Sequence, residues 1–154
     1  MQTEIKWGLI IVAAGFVWIL AEWLAGLHGP NIAWHGTITM FWIPLAMVLL
    51  VLGLREKKRV LGGHLSYGRG VLAGVVIAVI IALLSPVTQW LYLAVINPGF
   101  FGAMIDYAVA TGTDRATAES YFTLSNYLIE GTVGAFVGTV VTTLIAMIFL
   151  RGKA

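Results

Sequence analysis

Residues 70–96 read GVLAGVVIAVIIALLSPVTQWLYLAVI, without one charged side chain. At a helical rise of about 1.5 Å per residue, roughly 20 apolar residues cross the hydrocarbon of a bilayer. A surface helix of this length in a soluble protein would carry a charged stripe, and this segment has none. It is therefore read as a membrane span. Working outward, three more stretches qualify: 7–27, interrupted only by Glu22; 37–54, uncharged, with a polar approach from Ile32; and 131–150. His28-Gly29-Pro30-Asn31 is a turn signal between the first two, and a longer polar stretch, 97–130, separates the last two. The expectation is one all-α integral membrane domain over residues 1–154: an antiparallel four-transmembrane-helix bundle. A short amphipathic outer helical cap lies between helices 3 and 4.

Composition agrees. The chain is 60% hydrophobic and only 10% charged, with a mean hydropathy of +0.94, whereas soluble domains carry about 25% charged residues. No cysteine is present, which removes disulfides, thiolate metal sites and thiol nucleophiles. The net charge of +2 spreads over too few cations for a nucleic-acid footprint, so no nucleic-acid partner is expected. Gly68, Gly70 and Gly74 imitate a dinucleotide loop, but a membrane span follows them where a strand–turn–helix unit is required.

The cations set the orientation. With both termini cytoplasmic, Lys6, Arg55, Lys57, Lys58, Arg59, Arg69, Arg151 and Lys153 fall on that side, leaving Arg115 outside. Trp23, Trp34 and Trp90 then mark the outer boundary and Trp7 the inner one. The first span is longer than the apolar region of a secretory signal, and Leu24-Ala25-Gly26 is a poor cleavage site, so it is expected to be retained.

Lipid offers little hydrophobic drive for helix association, and small residues that permit close backbone approach take over that role. Gly70, Gly74 and Ala78 form such a stripe on the third span, and Gly134, Gly138 and Thr142 form one on the fourth. The two stripes are expected to pack within one chain, with a homo-oligomer seam as the alternative.

Several short motifs carry a resemblance. They are Lys6-Trp7-Gly8 opening the first span, Leu52-Gly53-Leu54-Arg55-Glu56 closing the second, the turn Gly62-Gly63-His64-Leu65-Ser66-Tyr67-Gly68, and Asn97-Pro98-Gly99-Phe100 after the third. Together they resemble a family of small bacterial membrane proteins known as domain of unknown function 4199, over nearly the whole chain. The resemblance implies a four-span protein of the bacterial inner membrane and transfers no catalytic residue. The stretch after Asn97-Pro98 departs from it, being Ala- and Thr-rich where the family is expected to be more strongly charged.

Ionisable groups inside spans are costly and therefore informative. Glu22 lies near the C-terminal end of the first span, where the helix dipole disfavours an anion. Pro86 removes the partner of the Ala82 carbonyl and predicts a kink, flanked by Ser85, Thr88 and Gln89. Glu22, Ser85, Gln89 and Glu130 are expected to line one outer-leaflet polar pocket for a proton, cation or small polar solute, with His28 and His35 adjoining. The plainer alternative has Gln89 and Ser85 repairing the broken helix, Glu22 reaching to the interface, and Glu130 sitting at the favourable N-terminus of the fourth span.

On the inner side, Arg55, Lys57, Lys58, Arg59 and Arg69 are candidates for lipid headgroups, with topology alone as the plainer account. Gly62-Gly63 supplies a bend and Ser66 a helix cap. Phe100, Phe101, Met104, Ile105 and Val109 predict a short amphipathic helix. A second helix starts near Thr113 or Asp114 and runs through Tyr121, Phe122 and Tyr127 to the fourth span. The three histidines lack acids at ligand spacing, so no metal and no cofactor are expected. The expected function is that of a non-enzymatic accessory or scaffold protein, in contact with the bilayer and with a membrane-protein partner or a second copy. The alternative is a small-solute, ion or proton-coupled transporter acting as an oligomer through the polar pocket.

Overall fold

A computed structural model describes residues 1–151; Lys153, counted above among the cytoplasmic cations, lies outside the described residues. The helices are α1 (Gln2–Leu24), α2 (His35–Thr39), α3 (Trp42–Val60), α4 (Tyr67–Trp90), α5 (Phe100–Ala110), α6 (Arg115–Tyr121) and α7 (Leu124–Leu150), and no strand occurs among the described residues. A short 3₁₀ turn, Ile32–Trp34, precedes α2, and a π-helical stretch, Leu91–Ile96, prolongs α4. Four segments, Gln2–Leu24, Ile32–Val60, Tyr67–Ile96 and Leu124–Leu150, are long and apolar enough to cross a membrane. Their outward faces bear large apolar side chains, such as Leu83 at 68% exposure and Phe149 at 80%. A water-soluble bundle does not tolerate such a surface, and lipid requires it.

Inside, Ile11, Leu50, Leu54, Leu65, Ala73, Ile77, Ile81 and Met147 form the main buried cluster. Gly70 and Gly74 of α4 lie directly against Met147 and Thr143 of α7, so close that a β-carbon at either position overlaps those side chains. Gly8 of α1 meets Ile80 of α4, where an added β-carbon would stand 2.6 Å from a side-chain methyl. Gly53 of α3 seats the Trp7 ring in the same way, at 2.8 Å. The small residues of α4 thus pack inside the chain, and Ala78 is fully buried. The stripe on α7 does not pair with them. Nothing lies within 4 Å of a β-carbon built at Gly134 or Gly138, because α4 contacts the neighbouring face of α7 through Thr143 and Met147.

At one end the helices are tied by polar bonds. Lys6 donates to both carboxylate oxygens of Glu56 at 2.8 Å, and the Trp7 indole donates to Glu56 at 3.0 Å. Lys57 pairs with Glu4 at 2.7 Å, and Lys58 donates to the Leu150 carbonyl at 2.9 Å, satisfying an end of α7 that lacks a helical partner. Two of the five headgroup candidates are therefore engaged within the protein: Lys57 and Lys58 join helix ends, while Arg55, Arg59 and Arg69 are exposed.

Several boundaries differ from the sequence reading. α3 ends in a Schellman turn, with Gly62 at φ +72° and the Gly63 N–H bonded to the Lys58 carbonyl, so the glycine bend forms as expected. Ser66 occupies the N-cap of α4, but its side chain makes no capping bond. α4 continues through Pro86 without interruption and changes to wider π winding only at Leu91. Asp114 caps α6 by accepting from the Thr117 N–H at 3.0 Å. That helix does not run on into the fourth span. The Asn126 amide donates to the Ser120 and Tyr121 carbonyls, closing α6, while Thr123 accepts from the Asn126 N–H and opens α7. α7 begins seven residues before position 131, because a cap and not hydropathy decides its start. Replacing Thr123 with Ala is expected to cost about 0.5–2 kcal/mol, seen as faster proteolysis at 122–126 and a lower unfolding midpoint in detergent.

Candidate functional site

The site begins with the way α1 ends. Gly26 takes φ +76°, its N–H bonds to the Trp23 carbonyl, and the Leu27 N–H reaches back to the Glu22 carbonyl. This Schellman turn needs a left-handed residue, which glycine supplies without steric cost. It folds the chain back over the helix end and carries His28 to the Glu22 side chain. Asn31 secures the loop by donating from its backbone to the Gly26 carbonyl and from its side chain to the Ala25 carbonyl. The 3₁₀ turn then delivers His35 to the same spot.

Glu22 is 4% exposed, so it does not reach up to an interface. Its Oε1 accepts from the Trp18 indole at 2.8 Å and from the Thr39 hydroxyl at 2.5 Å. Its Oε2 stands 3.5 Å from His28 Nε2. The His28 side chain is fully buried, with Nδ1 against the Tyr92 hydroxyl, which also accepts from the Asn97 amide at 2.8 Å. Phe100, from the start of α5, packs its ring edge-on against both imidazoles, with centroids 5.0 Å from His28 and 5.8 Å from His35. One ligand atom each from Glu22, His28 and His35 lies within 4.8 Å of the others. The reading that the histidines lack an acid at ligand spacing is corrected here. The spacing is formed in space by the Gly26 turn and is absent along the sequence. His64, in the α3–α4 turn, is exposed and stands apart.

On its other side Glu22 borders a cavity of about 510 Å³ between α1, α3, α4 and α7. All four pocket residues expected from the sequence, Glu22, Ser85, Gln89 and Glu130, line it. Its deeper wall is apolar, formed by Ile11, Phe16, Leu50 and Ile81. The room comes from α7: Gly134, Gly138 and Thr142, expected as helix-packing residues, form a wall of the cavity instead.

Gln89 does not repair the helix around Pro86. Its amide lies across the bare backbone of Gly131, 2.8 Å from where a β-carbon would be, and its Oε1 is buried without a hydrogen-bond partner. By contrast, Thr88, Thr139 and Thr143 each donate to a carbonyl of their own helix at 2.7–2.9 Å, the usual way a hydroxyl is satisfied in a membrane helix. Glu130 lies nearly two turns inside α7, not at its N-terminus. It accepts from the Tyr121 hydroxyl at 3.0 Å, and this carboxylate holds the phenol above its ordinary pKa.

Sequence reasoning missed Trp18, Thr39, Tyr92, Asn97 and Phe100 as parts of the site. The available signal was a glycine four residues beyond Glu22 with a histidine two further on, the pattern of a helix-ending reversal. No curated protein and no solved structure matches the chain. A family profile described as protein of unknown function, DUF4199, matches residues 6–152. On that match, which spans nearly all of the sequence, the chain belongs to the DUF4199 family.

Proposed function

We propose that this protein binds a small cationic solute with an apolar body inside its four-helix bundle, as a carrier or receptor and not as an enzyme. The observation that carries the reading is the Gln89 acceptor, buried and partnerless, in a cavity that also holds two carboxylates and an apolar wall. A buried acceptor without a partner is costly, and a donor on a bound solute relieves that cost. Glu22 and Glu130 favour positive charge, while Ile11, Phe16 and Leu50 suit an apolar group. The distribution of Lys and Arg supports placement in a bacterial inner membrane with both ends cytoplasmic. Four spans are few for alternating access, so transport on this reading requires association of chains.

The test is binding of benzylammonium, a primary ammonium donor on an apolar ring, to the full chain in detergent, followed by its uptake into proteoliposomes. Glu22→Gln and Gln89→Ala are each expected to weaken binding about tenfold, about 1.4 kcal/mol, the first through a lost negative charge and the second through a lost hydrogen bond. Gly138→Leu, which meets nothing at its β-carbon, is expected to fill the cavity and abolish binding while the fold persists. Wild-type protein that fails to bind the probe, or variants that bind it undiminished, would overturn the reading.

The accessory or scaffold reading draws on the same open face, since Gly134 and Gly138 leave space for a partner's helix to approach closely. Cross-links from α7 to another chain in native membranes, together with no solute binding, would favour it.

A further inference from the structure

We infer that Glu22, His28 and His35 form a binding site for one divalent first-row transition-metal ion of the zinc type. The inference stands on two buried imidazole nitrogens, His28 Nε2 and His35 Nδ1, neither of which has a hydrogen-bond partner. Burial of a polar nitrogen without a partner is costly, and here both imidazoles meet one carboxylate, with a ligand atom of each residue within 4.8 Å of the others. The His28 Nε2 to Glu22 Oε2 separation of 3.5 Å exceeds the range of an N–H···O hydrogen bond, about 2.7–3.2 Å. It does match the edge of a tetrahedron about a zinc ion, roughly 3.3–3.5 Å for ligands about 2.0–2.1 Å from the metal. A spread of 4.8 Å among the three ligand atoms, one from each residue, exceeds that tetrahedral edge by little more than about 1 Å.

The surroundings are those of a metal site. Ligating histidines are oriented through their second nitrogen, and His28 Nδ1 is held by the Tyr92 hydroxyl, itself fixed by Asn97. Ligating carboxylates are likewise hydrogen-bonded from outside. Trp18 and Thr39 both engage Glu22 Oε1, which leaves Oε2 for the ion. Phe100 closes the site with an apolar ring and is 2% exposed. Two imidazoles and one carboxylate favour zinc, iron, cobalt or nickel over magnesium and calcium, which take oxygen ligands. Three protein ligands leave a further coordination position open.

The experiment uses the full chain in detergent with any polyhistidine tag cleaved, stripped with chelator, then reloaded with Zn²⁺ or with Co²⁺ as a spectroscopic substitute. Metal analysis is expected to give one ion per chain, and Co²⁺ to give the visible absorption of a low-coordinate N/O site. Both are expected to disappear in His28→Gln and His35→Gln and to persist in His64→Gln. Tyr92→Phe, which removes only the orienting hydroxyl, is expected to weaken binding about 10- to 100-fold. Because His28 is buried and its replacement risks misfolding, the half-buried His35 carries the decision. Helical wild-type protein that retains no stoichiometric metal overturns the inference, as does a Co²⁺ spectrum unchanged in His35→Gln. His35 is absent from the cavity wall, so benzylammonium binding by His35→Gln protein separates failure here from failure of the solute reading.

Discussion

Gly74→Val is expected to unfold the bundle far more readily than Gly138→Val, although both put the same side chain on a small-residue stripe. At Gly74 the new β-carbon overlaps Thr143, which is itself fully buried and donates to the Thr139 carbonyl, so it has no room to withdraw. The two helices must separate, and overpacking of this kind costs about 1–3 kcal/mol. In lipid, where contact between α4 and α7 rests on close packing and not on apolar burial, such a loss removes much of what holds the pair. At Gly138 the β-carbon meets nothing, so the cost is expected within about 0.5 kcal/mol. Titration of detergent-solubilised protein with SDS, followed by helical circular dichroism, measures both midpoints. Equal midpoints for the two variants would contradict the packing described.

The second large effect is at Gly26. Its φ of +76° is a region where a residue with a β-carbon loses about 1–2 kcal/mol and a β-branched one is an outlier. Gly26→Val is expected to open the turn and release the Leu27 N–H from the Glu22 carbonyl. His28 is then drawn away from Glu22 and Tyr92. Hydrogen exchange at the Leu27 amide measures this directly: protection in the wild type is expected to be lost in Gly26→Val. Gly26→Asn is expected to retain most of it, because asparagine tolerates the left-handed region. Gly36→Ala serves as a control, since its β-carbon meets nothing. Retained protection in Gly26→Val would show that the turn does not hold the histidine in place.

The spans were legible because apolar runs such as 70–96 have few other physical meanings. Their ends were less so. Hydropathy reports where lipid ends, while Gln2 to Lys6 and Leu124 to Glu130 stay helical beyond that point, supported by the Glu4–Lys57 pair and the Thr123 cap. The cavity was legible as a set of polar residues at similar depth on different spans. Which wall made room for it was not: a stripe of small residues signals close packing, and spacing alone does not distinguish a face pressed against a neighbour from one left open. The Glu22–His28–His35 cluster was hidden for another reason. It depends on one glycine turn and on Tyr92 of the π-helical stretch and Phe100 of α5, which arrive more than 60 residues after His28.

The polar ties among Glu4, Lys6, Trp7, Glu56, Lys57 and Lys58 sit at one end of the bundle, whereas the cavity and the buried histidines occupy the other half. Such a molecule is laced at both ends, by ion pairs at one and by the buried bonds of Glu22 and His28 to Trp18, Thr39 and Tyr92 at the other. Salt screens exposed ion pairs such as Lys6–Glu56 but hardly reaches a buried network, so a rise in ionic strength slackens only the first of these lacings.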